Sequence, residues 1–276
     1  MPYPLIHAEG SVPTWGAAGT YNTLLSRLSP NTASITASSD SQDVTPIGGA
    51  NRLILPGLGQ WTASIAARWA GTPRLGNVGL VAFSGGGYAL HVESWNLTVE
   101  TQALDITRQT GTPSSWRLFR PSHIQWSGTI TARVDDATAV ANLHVATATS
   151  TAVTLPTLTL TYGLDATANT LAGAVMLSNM TVNQSPGALT TVSYSFTGSG
   201  PLTAAGTNSI FSAGAVGNFL WDQLGSTANT LLTLTAGTGR TYSGSAFARS
   251  ISVACAVGDP VEVSVEAQGS GALTIA

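Results

Sequence analysis

Polar and apolar residues alternate with a period of two over much of this chain. From Gln60 to Trp69, residues Trp61, Ala63, Ile65, Ala67 and Trp69 fall on one side, and Gln60, Thr62, Ser64 and Arg68 on the other. Trp126, Gly128, Ile130, Ala132 and Val134 alternate with Ser127, Thr129, Thr131 and Arg133 in the same way. Val192, Tyr194 and Phe196 oppose Thr191, Ser193, Ser195 and Thr197; Val261, Val263, Val265 and Ala267 oppose Glu262, Ser264, Glu266 and Gln268. Side chains of a strand point alternately to its two faces, so these segments read as half-buried antiparallel strands with one polar face. Gly- and Pro-rich stretches punctuate them as turns require. Helical signals are short: Thr20 to Leu28, Ala137 to His144 and Gly217 to Leu224 each allow about two turns and need a sheet to pack against. The predicted fold class is all-β.

The alternation repeats at fixed offsets. Shifted by 65, residues 52–69 fall on 117–134, with eight identities in eighteen ungapped columns, Trp61 on Trp126 among them. Upstream, Asp43-Val44-Thr45 answers Asp105-Ile106-Thr107. Shifted by 71, residues 171–203 fall on 242–274 with ten identities in thirty-three columns, and each copy follows a Leu-Thr-Leu-Thr run at 158–161 or 232–235. The order along the chain is therefore A1, A2, B1, B2. One A–B unit inserted within another explains that order without crossed connections, and insertion at an exposed turn is well tolerated. The expectation is a discontinuous outer domain, 1–70 plus 205–276, enclosing an inner domain at 71–204, each with one short flanking helix.

Composition narrows the function. Charged residues are 8% of the 276, against roughly 25% in average soluble proteins, while hydrophobic residues are 43%. Disorder requires the opposite balance. Ten arginines, no lysine and a net charge of −3 make a phosphate-gripping groove an unsuitable reading. No apolar run of eighteen residues occurs, so no membrane insertion is expected. Met1 to Gly10 lacks a basic and an apolar region, so no secretory signal is predicted. A single cysteine, Cys255, leaves no intramolecular disulfide; it reads as a small buried hydrophobe. So sparsely charged a surface fits either an extracellular-type β-protein or, the favoured reading, a subunit covered by an assembly.

Candidate chemistry is thin. Asp43 with Thr45 and Asp105 with Thr107 read as structural turns, in which carboxylate and hydroxyl cap free backbone amides at a strand end. His7, His91, His123 and His144 have no metal-ligand spacing, no G-x-S-x-G elbow occurs, and Ser199 and Ser270 lie in Gly-Ser-Gly turns or bulges. Gly237 to Thr241 lacks the lysine and the following helix of a phosphate loop. Trp61 and Trp126 occupy matched apolar positions and read as core. No catalytic residue, metal or cofactor is assigned, and the expectation is that the chain is not an enzyme.

Three features taken in order carry a resemblance: the D-[VI]-T turn, the segment Arg117-Leu118-Phe119-Arg120-Pro121, and the block 242–273 closing in Gly269-Ser270-Gly271-Ala272-Leu273. The chain resembles the major tail tube proteins of long-tailed bacteriophages over about two thirds of its length. The glycine usual after the proline is present as Gly57 but is Ser122 in the second copy, and the first thirty residues match nothing. The resemblance implies a tube-type β-sandwich or β-barrel, assembly of stacked rings, passage of linear double-stranded DNA through the lumen, and tape measure, terminator and baseplate partners in a virion tail assembled in the host cytoplasm. The usual subunit has one tube domain in a six-fold ring. Two domains per chain would therefore give a trimer with a pseudo-hexameric ring. Candidate lumen or interface residues are Thr191, Ser193, Ser195 and Thr197, with their copies Glu262, Ser264, Glu266 and Gln268. The alternative is a virion surface or receptor-binding β-sandwich module.

Overall fold

The computed structural model describes residues 14–15, 28–44, 52–69, 81–83, 88–107, 115–133, 155–162, 169–205, 224, 230–235, 240–256 and 259–276. Thirteen strands run in chain order: β1 (Thr14–Trp15), β2 (Leu28–Asp43), β3 (Ile54–Trp69), β4 (Val81–Phe83), β5 (Tyr88–Asp105), β6 (Phe119–Arg133), β7 (Thr157–Tyr162), β8 (Asn169–Asn183), β9 (Thr191–Ala205), β10 (Thr230–Thr235), β11 (Thr241–Ala256), β12 (Glu262–Gly269) and β13 (Thr274–Ile275). Every strand pair is antiparallel. The fold is all-β. Of the three short helices expected, only Leu28 and Leu224 are described; Leu28 opens β2, and Leu224 is buried in the core.

Six strands close on themselves in the order β5-β6-β9-β8-β7-β4 and back to β5. The others run β2-β3-β12-β11-β10-β1, with β13 also on β11, and β11 pairs β5 to join the two sets. Registers recur at the sequence offsets. Ile65 faces Val265 in β3·β12, and the residues 65 later and 71 earlier, Ile130 and Tyr194, face each other in β6·β9. Bulges recur as well: β11 slips between Ala248 and Ser250, and β8 between Leu177 and Asn179. β2 slips between Ser39 and Ser41, and β5 between Thr101 and Ala103, a shift of 62. An extra residue rotates the following side chains to the other face, so bulges at matched points keep inside and outside aligned.

The alternation sets the core. Trp61, Ile65, Leu97, Val99, Trp126, Ile130, Phe196, Ile251, Val253 and Val265 are all buried, each side chain of this size contributing roughly 1.5–3 kcal/mol. Trp126 meets Phe196 edge to face, with ring centroids 6.1 Å apart. Each repeated tryptophan lies flat on paired glycines. Trp61 Nε1 donates to the Gly271 carbonyl (3.1 Å), and Trp126 Nε1 to the Gly200 carbonyl (3.0 Å). Gly271 and Gly200 turn at φ 92° and 78°, a conformation side chains resist. These turns aim the carbonyls at the indoles.

Cys255 sits in this core opposite Trp95 on the β11·β5 ladder. Burial pushes its thiol from an ordinary value of 9.0 up to about 11. A raised value in the folded chain means the neutral thiol supports folding in full below pH 9, and that support is lost as pH rises through 11. The expected result is no modification of native protein by iodoacetamide at pH 8 and stoichiometric modification in denaturant. Rapid labelling of the native protein at pH 8 would contradict this burial.

Candidate functional site: a polar sheet face spanning eight strands

The outward residues of eight strands, β2-β3-β12-β11-β5-β6-β9-β8, form one mostly polar face, broken by Ala254 and by Met176 opposite Thr197. Its rows follow the ladders. Ser34, Ser64, Glu266, Ser250 and Glu100 stand in one row across β2, β3, β12, β11 and β5. Arg68, Glu262, Ala254, Asn96, Thr129 and Ser195 make another, running from β3 to β9. Cross-strand neighbours on one face lie about 5 Å apart, near enough for short polar side chains to bond. Thr98 and Ser252 do so across β5·β11 (2.9 Å), and Thr131 and Ser193 across β6·β9 (3.3 Å). Asn96 Oδ1 accepts from the Thr129 backbone N–H at 2.9 Å.

Two ion pairs stand on this face. Arg68 Nε stands 3.5 Å from Glu262 Oε1, and Arg133 Nε 2.6 Å from Glu93 Oε1. Gln125 Nε2 donates to Glu100 at 2.5 Å, and Arg249 borders the same shallow depression. These side chains are well exposed, so each ion pair is worth under about 1 kcal/mol. Their consequence is chemical: the rows offer hydroxyls and amides, with Arg68 and Arg133 each paired to a carboxylate, a poor grip for a polyanion.

Thr191, Ser193, Ser195 and Thr197 stand on β9, and Glu262, Ser264 and Glu266 on β12, all on this face with β11, β5 and β6 between the two sets. Gln268 continues the same row of β12, opposite Thr62 on β3 and Phe247 on β11, but is buried. It is 6% exposed, and its amide donates to the Trp61 carbonyl (3.3 Å) and the Gly269 carbonyl (3.1 Å). Burial alternates along β12 only as far as Ala267; Gln268 keeps the parity of Glu262, Ser264 and Glu266 and is buried there, its amide satisfied by backbone carbonyls.

In the Asp105 turn, Oδ1 accepts from the Thr107 N–H (3.0 Å) and hydroxyl (2.6 Å), and the hydroxyl oxygen accepts from the Leu118 N–H at 2.9 Å. Asp43 takes Arg52 Nε at 2.7 Å; Thr45 lies outside the described residues. Of the histidines, His123 is exposed on β6, His91 lies on β5, and His7 and His144 are outside the described residues. Among the described residues no trio of His, Cys, Asp or Glu could hold a metal, and no helix is long and apolar enough to cross a membrane.

One contact had no sequence signal strong enough to announce it: the segment 115–119 lies against β3 and the 269–271 turn. Gly59 N–H donates to the Ser115 carbonyl (2.8 Å), Arg117 N–H to the Gly59 carbonyl (2.7 Å), and Gly271 N–H to the Arg117 carbonyl (2.9 Å). Ser270 Oγ accepts from the Phe119 N–H (2.9 Å) and donates to its carbonyl (3.0 Å). The Arg117 guanidinium bridges Asp40 and Asp105. A glycine facing a tryptophan was the available clue, because a Cβ on Gly59 would stand 2.9 Å from the Trp116 ring.

No family model matches the chain, and no curated protein matches it. Among solved structures, one described as the virion of a native gene transfer agent particle aligns at a TM-score of 0.37 and 11% identity, covering 46% of this chain and 95% of that one. The tail of an empty gene transfer agent particle, refined with C6 symmetry, aligns at 0.36 and 13%, covering 49% and 97%. The SPP1 tail tube aligns at 0.33 and 15%, covering 46% and 77%.

Proposed function

We propose that this chain is a structural subunit of a phage tail tube, made of two nested all-β units: an outer one, 1–70 plus 205–276, and an inner one, 71–204. The observation that carries the reading is the polar face itself. Four strands with the register of the outer set and four with that of the inner set build one sheet, apolar on one side and weakly charged on the other. Three such chains would place six units in a ring, and head-to-tail stacking of rings builds an open tube. The rows holding Glu262, Ser264, Glu266 and Thr191 to Thr197 are then the wall past which double-stranded DNA travels. A passage needs a surface that lets phosphates slide, and paired arginines among hydroxyls suit that need. In a virion tail the tube's ends would meet tape measure, terminator and baseplate proteins, after assembly in the host cytoplasm.

End-on negative-stain images of the concentrated protein should show rings or tubes with a central pore, and mass measurement three subunits per ring. Six subunits per ring would retain the tube and refute the pairing of two units per chain. Compact particles without a pore would favour a virion surface module instead. In a reconstituted phage, Glu262→Lys with Glu266→Lys should slow DNA ejection, increasingly so at low salt, because counterion release strengthens phosphate binding there. Unchanged ejection would remove these residues from the wall.

A further inference from the structure

We propose that the joint between β5 and β11 inside one chain is the template for the joint between chains: residues 32–38 of β2 pair antiparallel with residues 179–185 of a second copy. The proposal rests on the nested-unit reading and adds the surface, the register and the partner.

Within the chain, β11 from Ser250 to Ala256 pairs β5 from Glu100 back to Ser94. β2 holds the place of β5 at an offset of 62, since Ala37 faces Trp61 as Val99 faces Trp126. β8 holds the place of β11 at an offset of 71, with the bulge at the matched point. The shifted ladder puts Ser38 opposite Asn179, Thr36 opposite Thr181, and Ile35 opposite Val182. Among the described residues, β2 pairs only β3, and the corresponding side of β8 beyond the β7 ladder pairs no strand. A chain with two long open edges invites strand addition, and these edges lie at the two ends of the polar face.

Side chains agree with this use. The hydroxyl pair Thr98–Ser252 that crosses the internal joint becomes Thr36–Thr181, both hydroxyls kept. Val253 is 1% exposed, and its counterpart Val182 is 50% exposed. A second contact points the same way. Phe119, docked on Ser270, is 8% exposed, while its counterpart Ile54 is 49% exposed, and Ser199, the counterpart of Ser270, is open. Ile124, the counterpart of Gly59, is 42% exposed. Apolar residues thus lie bare where the internal joint covers their equivalents, so the missing cover is a second copy's matching edge. At one end the copies differ, with Ala33 and Gln184 replacing Trp95 and Cys255. The contact is heterologous: each copy offers one β2 edge and one β8 edge, so copies join head to tail.

Thr36→Cys with Thr181→Cys in the full chain tests the register, because cysteines at directly facing strand positions meet disulfide distances. Mild oxidation of concentrated protein should give a covalent ladder on a non-reducing gel, ending in a closed species. Thr36→Cys with Ser185→Cys, four residues out of register, should give none. Rings with a pore but no in-register ladder would overturn this joint and leave the tube reading standing. A ladder in poreless particles would support the joint and overturn the tube. Neither ladder nor assembly would overturn both. Val182→Asp, at a site half open in the monomer, should leave the melting temperature unchanged and raise the concentration needed for assembly at least about tenfold, since it would bury a lone charge. Unaltered assembly of that variant would refute the joint.

Discussion

Replacing Gly269 or Gly198 by alanine is expected to destabilise the chain by about 3 kcal/mol or more, an effect usually reserved for deleting a large core side chain. A Cβ on Gly269 would stand 2.0 Å from Trp61 Cε2, and one on Gly198 1.9 Å from Trp126 Cε2. Neither ring can retreat. Each indole is held by its N–H to a glycine carbonyl in the next turn, and a further glycine, Gly244 or Gly173, closes the other end, where an added Cβ would stand 2.5 Å from Cζ2. Accommodation means breaking that hydrogen bond and lifting a tryptophan out of the core. Urea titration of Gly269→Ala measures the cost. A double-mutant cycle with Trp61→Leu isolates the cause, because without the indole the added methyl should cost under about 1 kcal/mol. A loss below about 1 kcal/mol in the single variant would show that the clamp is loose.

Gly128→Ala is expected to cost about 2–4 kcal/mol and to open the β5·β6 ladder locally. The new Cβ would lie 2.1 Å from the Asn96 carbonyl oxygen and 2.6 Å from Phe196 Cζ. Phe196 could rotate; the Asn96 backbone is held between β6 and β11 and cannot. The counterpart position carries Ala63, which faces Ala267 where Gly128 faces Phe196. The two ladders thus fill similar space with small–small and none–large pairs. Hydrogen exchange should show lost protection from Asn96 to Leu97 and from Gly128 to Ile130 with β2·β3 unaffected. Uniform protection with unchanged stability would refute this account.

The same residues show how far the chain's pattern could be followed. Alternation is local, and Trp61, Ile65, Trp126 and Ile130 point inward wherever their strands happen to lie. The offsets were legible because related ladders need matching side chains at matching points. Gln268 shares the parity of Glu266, but its burial could not be read along the strand, because its amide bonds the carbonyl of Trp61 on another strand. Glu266 and Ser195 could be put on a polar side, but nothing in their own segments says that β11, β5 and β6 lie between β12 and β9. The Gly-Ser-Gly segments read as turns; that Ser270 holds Phe119, 151 residues away, was invisible.

By itself, then, the sequence determined the all-β class, which residues face in and out, and the repeat offsets, since all three depend on spacing along the strand. Only the tertiary structure decided that β11 pairs β5, that the 115–119 segment seats on β3, and that the polar sides of eight strands form one face. Those are choices among edges of similar composition. They are settled by which backbone groups and apolar side chains are left uncovered once the local ladders have formed.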